Sequence, residues 1–469
     1  MLDQIISSLA QIAFFPFSVA VFGRLDRATA TAVVVLSGLL FLPAITIFYL
    51  SDAVPITKDK IIFLGALFGF IVHQRPAFLR SRPVMVTTAV LIPLTIVNIL
   101  SLFENMETVY SQGAFHQGLG FAWLLGQTID DFFVIALPFL IGKAAFISYR
   151  DLRTLLYVLV GMGIVYSAIA IFELVMAIPF RVFQFSEIIY GLPFRPMFRY
   201  GLTEPAAFMG GGHILSMFFA LTLIAAAGFN KIGKPVSWLR LKKARIITGA
   251  ALMSTLKVGG IFLGLSGAML FSFFKPRTIA FIAFFSASVL CVYPLMQTFD
   301  MISEDVLVEI AAEYTNEDRA RSFAGRFHEE DFVIDQLGGR WLSGWGTFAR
   351  IPGADGNIGP YSGEGGLDAW WVIKLGHSGI LGVEVVLFLF AIPIWQARRR
   401  IASIQSDEII ILMSALMMCI VIRMADLMLN GWWNSLPIFL AGALYGICKL
   451  AHLQSADENP SLDDEQQKK

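Results

Sequence analysis

Apolar runs long enough to suggest membrane crossings recur through this chain. A helix needs ~20 mostly apolar residues to cross a bilayer. Segments 5–23, 28–50, 60–74, 83–103, about 120–147, 154–180, 206–229, 246–274, 278–296, 366–395, 408–428 and 434–451 meet or approach that length. Composition agrees: the chain is 57% hydrophobic and only 15% charged, where a soluble domain carries roughly 25% charged residues. The expected fold is an all-α polytopic membrane protein. It should have roughly 11–13 transmembrane segments and one large outer loop carrying short helices.

The formal net charge of +0 removes any basic footprint for nucleic acid. Cys291, Cys419 and Cys448 sit in or beside apolar runs and read as packing residues, with no zinc spacing among them. The first segment lacks a basic leader and a small-residue cleavage site, so it reads as a membrane segment rather than a removable signal.

Short loops rich in Lys and Arg face the cytoplasm. Here they are 75–82, 143–153, 231–245 and 398–400. An even number of crossings must separate 245 from 398, which requires 246–274 to be broken. LGLSGAMLF places the expected break near 265–268, at Ser266-Gly267, with a turn at the outer face. The chain then divides into an N-terminal bundle (1–180), central segments (181–296) with a short outer loop at 181–205, a large outer loop (297–367), C-terminal helices (368–451) and a polar cytoplasmic tail (452–469) expected to be disordered.

Four constellations carry candidate chemistry. In FRPMFRYGLTEPAAF (194–208), Arg195, Arg199 and Glu204 lie in an outer loop before a helix that Pro205 is expected to open. Guanidinium groups at a helix N-terminus suit a phosphate or diphosphate; the plain alternative is anchoring to lipid headgroups. Arg319, Arg321 and Arg326 precede His328, Glu329, Glu330 and Asp331, which fit a solvated amphipathic helix with internal ion pairs. Ala324-Gly325 reads as a turn that makes Arg326 a helix start, again a place for an anion. GGRWLSGWGTF (338–348) interleaves Gly with Arg340, Trp341 and Trp345. These tryptophans, with Trp370 and Trp371, offer either sugar stacking or the aromatic belt of a membrane interface. Finally, Asp368, Lys374 and His377 open an otherwise apolar helix, and ionisable groups there are functional candidates. A carboxylate or imidazole can take the proton of an attacking hydroxyl; for His377 the alternative is a helix-packing role between two glycines.

These residues resemble the O-antigen ligase and O-antigen polymerase superfamily of bacterial inner-membrane proteins. The family's arginine, glycine and helix-opening proline correspond to Arg199, Gly201 and Pro205. Its Gly-Arg and Gly-x-Gly stretch corresponds to Gly325-Arg326 and Gly344-Trp345-Gly346. Its last motif has a histidine and a small polar residue, then nine residues, Gly, two residues and Gly. Here Asp368-Ala369 is followed by nine residues, Gly379, two residues and Gly382. Asp368 therefore stands where the ligases place histidine, and His377 is not the motif histidine. The family's Ser-Arg-Gly-Ala turn is matched by Ser266-Gly267-Ala268 without its arginine. The likeness covers roughly 194–382.

The resemblance implies a metal-independent, cofactor-free glycosyltransferase of the GT-C-like class in the bacterial inner membrane, its site facing the periplasm. Donor and acceptor would be a polyprenyl-diphosphate-linked oligosaccharide and a glycan hydroxyl, with inversion at the anomeric carbon. Arg199 and Arg326, helped by Arg195, Arg321, Glu204, Arg340, Trp345 and Trp370, would hold the donor. Asp368 would be the base, with His377 as the other catalytic candidate. The change from His to Asp leans toward a polymerase of exopolysaccharide or O-antigen units. A ligase onto a lipid A-core acceptor and a transporter or flippase without catalysis are the alternatives.

Overall fold

The computed structural model describes residues 2–44, 46–51, 54–191, 197–233, 241–301, 313, 317–352 and 369–449. The helices are α1 (Leu2–Arg24), α2 (Arg27–Phe41), α3 (Lys58–His73), α4 (Arg75–Arg80), α5 (Pro83–Glu104), α6 (Phe121–Asp131), α7 (Leu137–Ala145), α8 (Tyr149–Phe180), α9 (Phe185–Tyr190), α10 (Gly212–Ile232), α11 (Leu241–Ser254), α12 (Val258–Phe273), α13 (Pro276–Thr298), α14 (Glu317–Leu337), α15 (Trp370–Ile401), α16 (Asp407–Leu429) and α17 (Leu436–Lys449). Three small antiparallel hairpins join them: β1–β2 (Thr46–Ser51, Val54–Thr57), β3–β4 (Val109–Ser111, Ala114–His116) and β5–β6 (Phe198–Arg199, Leu202–Thr203).

Eight helical segments among the described residues are long and apolar enough to cross a membrane, α6 and α7 counting as one through the π-turn Phe132–Ala136. The remaining expected spans fold as shorter helices. α2, α3, α11, α12 and α17 have 15, 16, 14, 16 and 14 residues. At ~1.5 Å per residue these reach about 21–24 Å, short of a ~30 Å hydrocarbon core. α10 and α16 form the centre: 94% and 89% of their apolar windows are buried, against 28% in α1 and 33% in α13. Polar side chains on α10 and α16 therefore face protein.

Two expected spans are corrected. Segment 28–50 is helical only to Phe41. Leu42 precedes Pro43 and is extended (φ −73°, ψ 146°), as the proline ring demands of its neighbour, and the β-rich TIFYLS then pairs with Val54–Thr57. Segment 246–274 is broken, but not near 265–268. α12 runs unbroken through Ser266-Gly267, and the turn lies at Thr255–Lys257, where Leu256 has a positive φ of 59°. The small residues serve close packing instead. A Cβ on Gly264 would come 2.9 Å from the Ala220 Cβ, and one on Gly267 2.8 Å from the Ile224 side chain. They form a small-residue face on which α10 approaches α12.

The expected helix start at Arg326 is also corrected, because α14 continues through Ala324-Gly325. Phe327, Glu330, Val333 and Leu337 are all buried, at helical spacing, and α14 packs on α15. That stripe outweighs the ~1 kcal/mol cost of one internal glycine. His328 and Asp331 are exposed, as a solvated face requires, but Glu330 is buried and accepts from the Tyr293 hydroxyl at 2.9 Å.

Candidate functional site

Helix directions divide the bundle into two ends. One collects the starts of α3, α10 and α15, the ends of α5, α8 and α16, and the α11–α12 turn. The other collects the basic loops. At the first end, the β5–β6 hairpin turns through Tyr200 (φ 53°) and Gly201 (φ 77°), two positive φ values as in a type I′ turn. Arg199 and Glu204 thereby come together, and Arg199 Nε donates to Glu204 Oε1 at 2.8 Å. Lys257, delivered by the α11–α12 turn, lies 2.8 Å from Glu204 Oε2. One buried carboxylate thus holds two cations. The Arg199 side chain remains 52% exposed, and its terminal nitrogens have no partner among the described residues.

The loop after Glu204 is fixed from below. Pro205 does not open a helix: α10 starts only at Gly212. The intervening backbone is held by Glu173 of α8, whose Oε2 accepts from Ala206 N and Ala207 N at 2.9 and 2.8 Å. Tyr166 accepts from Phe208 N at 3.0 Å, and Lys58 Nζ donates to Phe208 O at 3.1 Å. Ala207 is kept at φ 49°, a strained value for a residue with a Cβ that surrounding bonds must enforce.

Beside this loop lies a second buried group. A Cβ on Gly212 would stand 3.1 Å from Glu204 Oε2, which places the start of α10 against the carboxylate. The next residue, His213, has Nε2 2.8 Å from Asp426 Oδ1 of α16. Asp426 Oδ2 is paired with Arg423, and Asn430 Nδ2 donates to Oδ1 at 3.0 Å. Arg423 also donates to Trp432 O at 3.3 Å. Trp432 is 47% exposed, and its ring is 3.9 Å from a Cβ placed on Gly211.

The start of α3 binds three neighbours with three consecutive charges. Lys58 reaches the 205–211 loop, Asp59 accepts from Ser435 N at 2.8 Å, and Lys60 pairs with Asp130. Asp131, next to Asp130 and just before the π-turn, accepts from Asn98 at 2.8 Å and lies within electrostatic reach of Lys374. Lys374 likewise acts on His377, whose Nδ1 is 2.7 Å from Ser378 Oγ. Asp368 and Arg195 lie outside the described residues, as does the side chain of Arg321.

The 338–351 segment locks onto α15. Gly379 interrupts that helix (φ 61°, ψ −174°), and its Cα hydrogens leave no room for more: a Cβ would fall 2.2 Å from the Leu342 carbonyl carbon. Trp345 N and Gly346 N donate to Gly376 O and His377 O, both at 2.9 Å, replacing bonds the kink removes. Arg350, 1% exposed, clamps the segment to the loop after α5 by donating to the carbonyls of Asn105, Glu107, His116 and Gln117. Burial lowers its pKa, while the Glu107 charge opposes the shift.

This lock reassigns several expected ligands. Arg340 is paired with Glu107 and lies 4.0 Å over the Trp345 ring. Trp345 is buried and its indole donates to Gln336 O at 3.0 Å. Trp370 stacks on Trp433 with centroids 5.1 Å apart, and Trp371 is fully buried against Tyr293. None of the three offers an open face for a sugar. Arg326 sits in the interior of α14 rather than at its start.

Lys257, His213, Asp426, Arg423 and Trp432 are not among the residues the sequence points to, although Lys257, Arg423 and Asp426 carry a signal. Lys257 interrupts an apolar run just before Gly259-Gly260. Arg423 and Asp426 are charges inside a span, a mark of function by default. Among the described residues, no group of three His, Cys, Asp or Glu side chains is placed to hold a metal ion. Compared with protein-family models, curated proteins and solved structures, the chain shows no match.

Proposed function

We propose that the protein is a membrane glycosyltransferase that moves glycan units from a polyprenyl-diphosphate donor to a glycan hydroxyl. The observation that carries this reading is the Arg199–Glu204–Lys257 cluster at one end of an apolar bundle, with the Asp426-held His213 beside it. The acceptor oxygen attacks the anomeric carbon and forms the new glycosidic bond. The bond from that carbon to the phosphate oxygen breaks, and the diphosphate leaves with the electron pair. Arg199 and Lys257 neutralise that leaving group, a preorganised stabilisation of developing charge. The proton passes to a base at the same end. Asp368 holds the position the motif spacing assigns to it, and His213 is the described group next to the cation pair. Exposed Trp432 offers the flat apolar face on which a sugar ring stacks. By the bias of basic loops toward the cytoplasm, this end faces outward, the periplasm of a bacterial inner membrane.

The test is release of lipid diphosphate from a polyprenyl-diphosphate oligosaccharide by the purified full-length protein in detergent. Arg199→Ala and Lys257→Ala should each lower release by roughly 10²–10³-fold, the usual effect of deleting one charge-stabilising donor. Asp368→Asn and His213→Gln then separate the two bases, since only the true one should abolish turnover while leaving donor binding intact. No release by wild type, or full release by both alanine variants, ends the proposal. A transporter would instead move the intact lipid-linked glycan across vesicles without releasing lipid diphosphate.

A further inference from the structure

At the basic end of the bundle, α13 and α15 part and leave a groove of about 690 Å³. Phe281 and Phe284 of α13 and Trp395 of α15 wall it, Ser288 lies deeper, and Arg398 and Arg399 stand at its mouth. The polar groups inside are matched to each other: Trp395 Nε1 donates to Ser288 Oγ at 3.2 Å, and Ser288 donates to Phe284 O at 3.0 Å. The flanking surface is apolar and open, with Phe285 57% and Ile392 40% exposed. Such a face suits acyl chains rather than water.

The arginines at the mouth differ from their neighbours. Arg400 donates to Cys448 O at 3.0 Å, and Arg277 donates to Ile404 O at 3.1 Å. The first is spent on a helix-end carbonyl and the second on the loop after α15. Arg398 lies over the Phe281 ring at 6.0 Å and Arg399 is exposed. Neither meets a carboxylate among the described residues. Two guanidinium forks at the rim of an aromatic-walled, membrane-facing groove make a site with a positive head and an apolar body.

We propose that this groove binds an anionic phospholipid of the surrounding bilayer. The lipid phosphate takes hydrogen bonds from Arg398 and Arg399, which match phosphate oxygens in pairs. An acyl chain runs along Phe281, Phe284 and Trp395. Basic pockets between helices commonly select acidic headgroups in this way. The site is independent of the glycosyl-transfer reading, because it lies at the opposite end of α15.

Native mass spectrometry of the delipidated full chain in neutral detergent tests it, with phosphatidylglycerol, phosphatidylcholine and inorganic phosphate as the probes. Phosphatidylglycerol should be retained at least about tenfold better than phosphatidylcholine, and phosphate alone should not be retained. The Arg398→Gln/Arg399→Gln variant should lose that preference. Ala402→Phe closes the mouth while keeping both arginines, and it should lose the preference too, so the proposal stays testable if the double variant misfolds. Phosphatidylglycerol with brominated chains should quench wild-type fluorescence more than that of Trp395→Phe. Equal retention of the two lipids overturns the proposal. So does a preference that survives Ala402→Phe, which would reduce the effect to general attraction by basic loops, and so does retention of phosphate alone.

Discussion

The two ends of the bundle use their cations differently. At the basic end most cap carbonyls, and the two carboxylate pairs described there, Arg27–Asp151 and Arg153–Glu408, keep both partners partly exposed. Arg27 donates to Ala145 O at 3.0 Å, Lys231 to Phe271 O at 2.8 Å, Arg277 to Ile404 O and Arg400 to Cys448 O. Three of these close a helix end, where the peptide dipoles favour positive charge, and Arg277 closes the loop after α15. At the site end Lys58 and Arg350 also donate to carbonyls, but most cations meet carboxylates, and four of these five pairs have a nearly buried partner: Lys60 with Asp130, Arg199 and Lys257 with Glu204, Arg423 with Asp426, and, more open, Arg340 with Glu107. Anchoring a bundle in a membrane needs only the first kind. Burying a carboxylate to hold cations carries a desolvation penalty that stability alone does not repay. The paired end is therefore the one whose chemistry needs explaining, and within it the most exposed cation, Arg199, is the one open to a ligand.

The contrast is broken most sharply at Arg423. Arg423→Ala leaves Asp426 buried between α10 and α16 without its cation, and loss of one partner from a buried pair costs about 3–5 kcal/mol. Thermal unfolding in detergent should show the largest drop of any single site-end substitution, and an unchanged midpoint would mean that the pair is solvated. Next comes Arg350→Ala, which strands carbonyls of Asn105, Glu107, His116 and Gln117. Loss of charged-donor bonds amounts to roughly 2–3 kcal/mol, and limited proteolysis should find new cleavage within 338–352. Protection equal to wild type would show that Gly379 and the backbone bonds hold the segment alone.

Much of this architecture was legible in the apolar runs, because a helix in lipid has few alternatives. The exceptions share a cause: a residue type with two uses. Ser266-Gly267 can turn a chain or let two helices touch, and only the presence of Ala220 and Ile224 opposite decides for touching. Trp345 and Trp370 can stack on sugars or on protein, and Arg340 and Trp433 take those faces. Arg199 and Glu204 were both named from the sequence, but their pairing needs the register of a two-residue hairpin. Lys257 and Asp426 were hidden differently. A single charge in an apolar run weakens the hydropathy signal only slightly, and a partner lies far away in sequence: Glu204 beside the β5–β6 hairpin for Lys257, and His213 of α10 for Asp426.

The smallest effect sharpens the comparison from the other side. Arg400→Gln removes one bond to Cys448 O at the end of α17 and leaves no carboxylate behind. The side chain is half-buried, and the glutamine amide can still reach a carbonyl, so the loss should be about 1 kcal/mol or less. Raising the salt concentration should shrink the remaining dipole contribution, whereas the Arg423 deficit, buried between helices, should hardly respond. A midpoint drop for Arg400→Gln as large as that for Arg423→Ala would erase the distinction between capping and pairing. It would mean that the basic end, too, holds charges the fold cannot release to water.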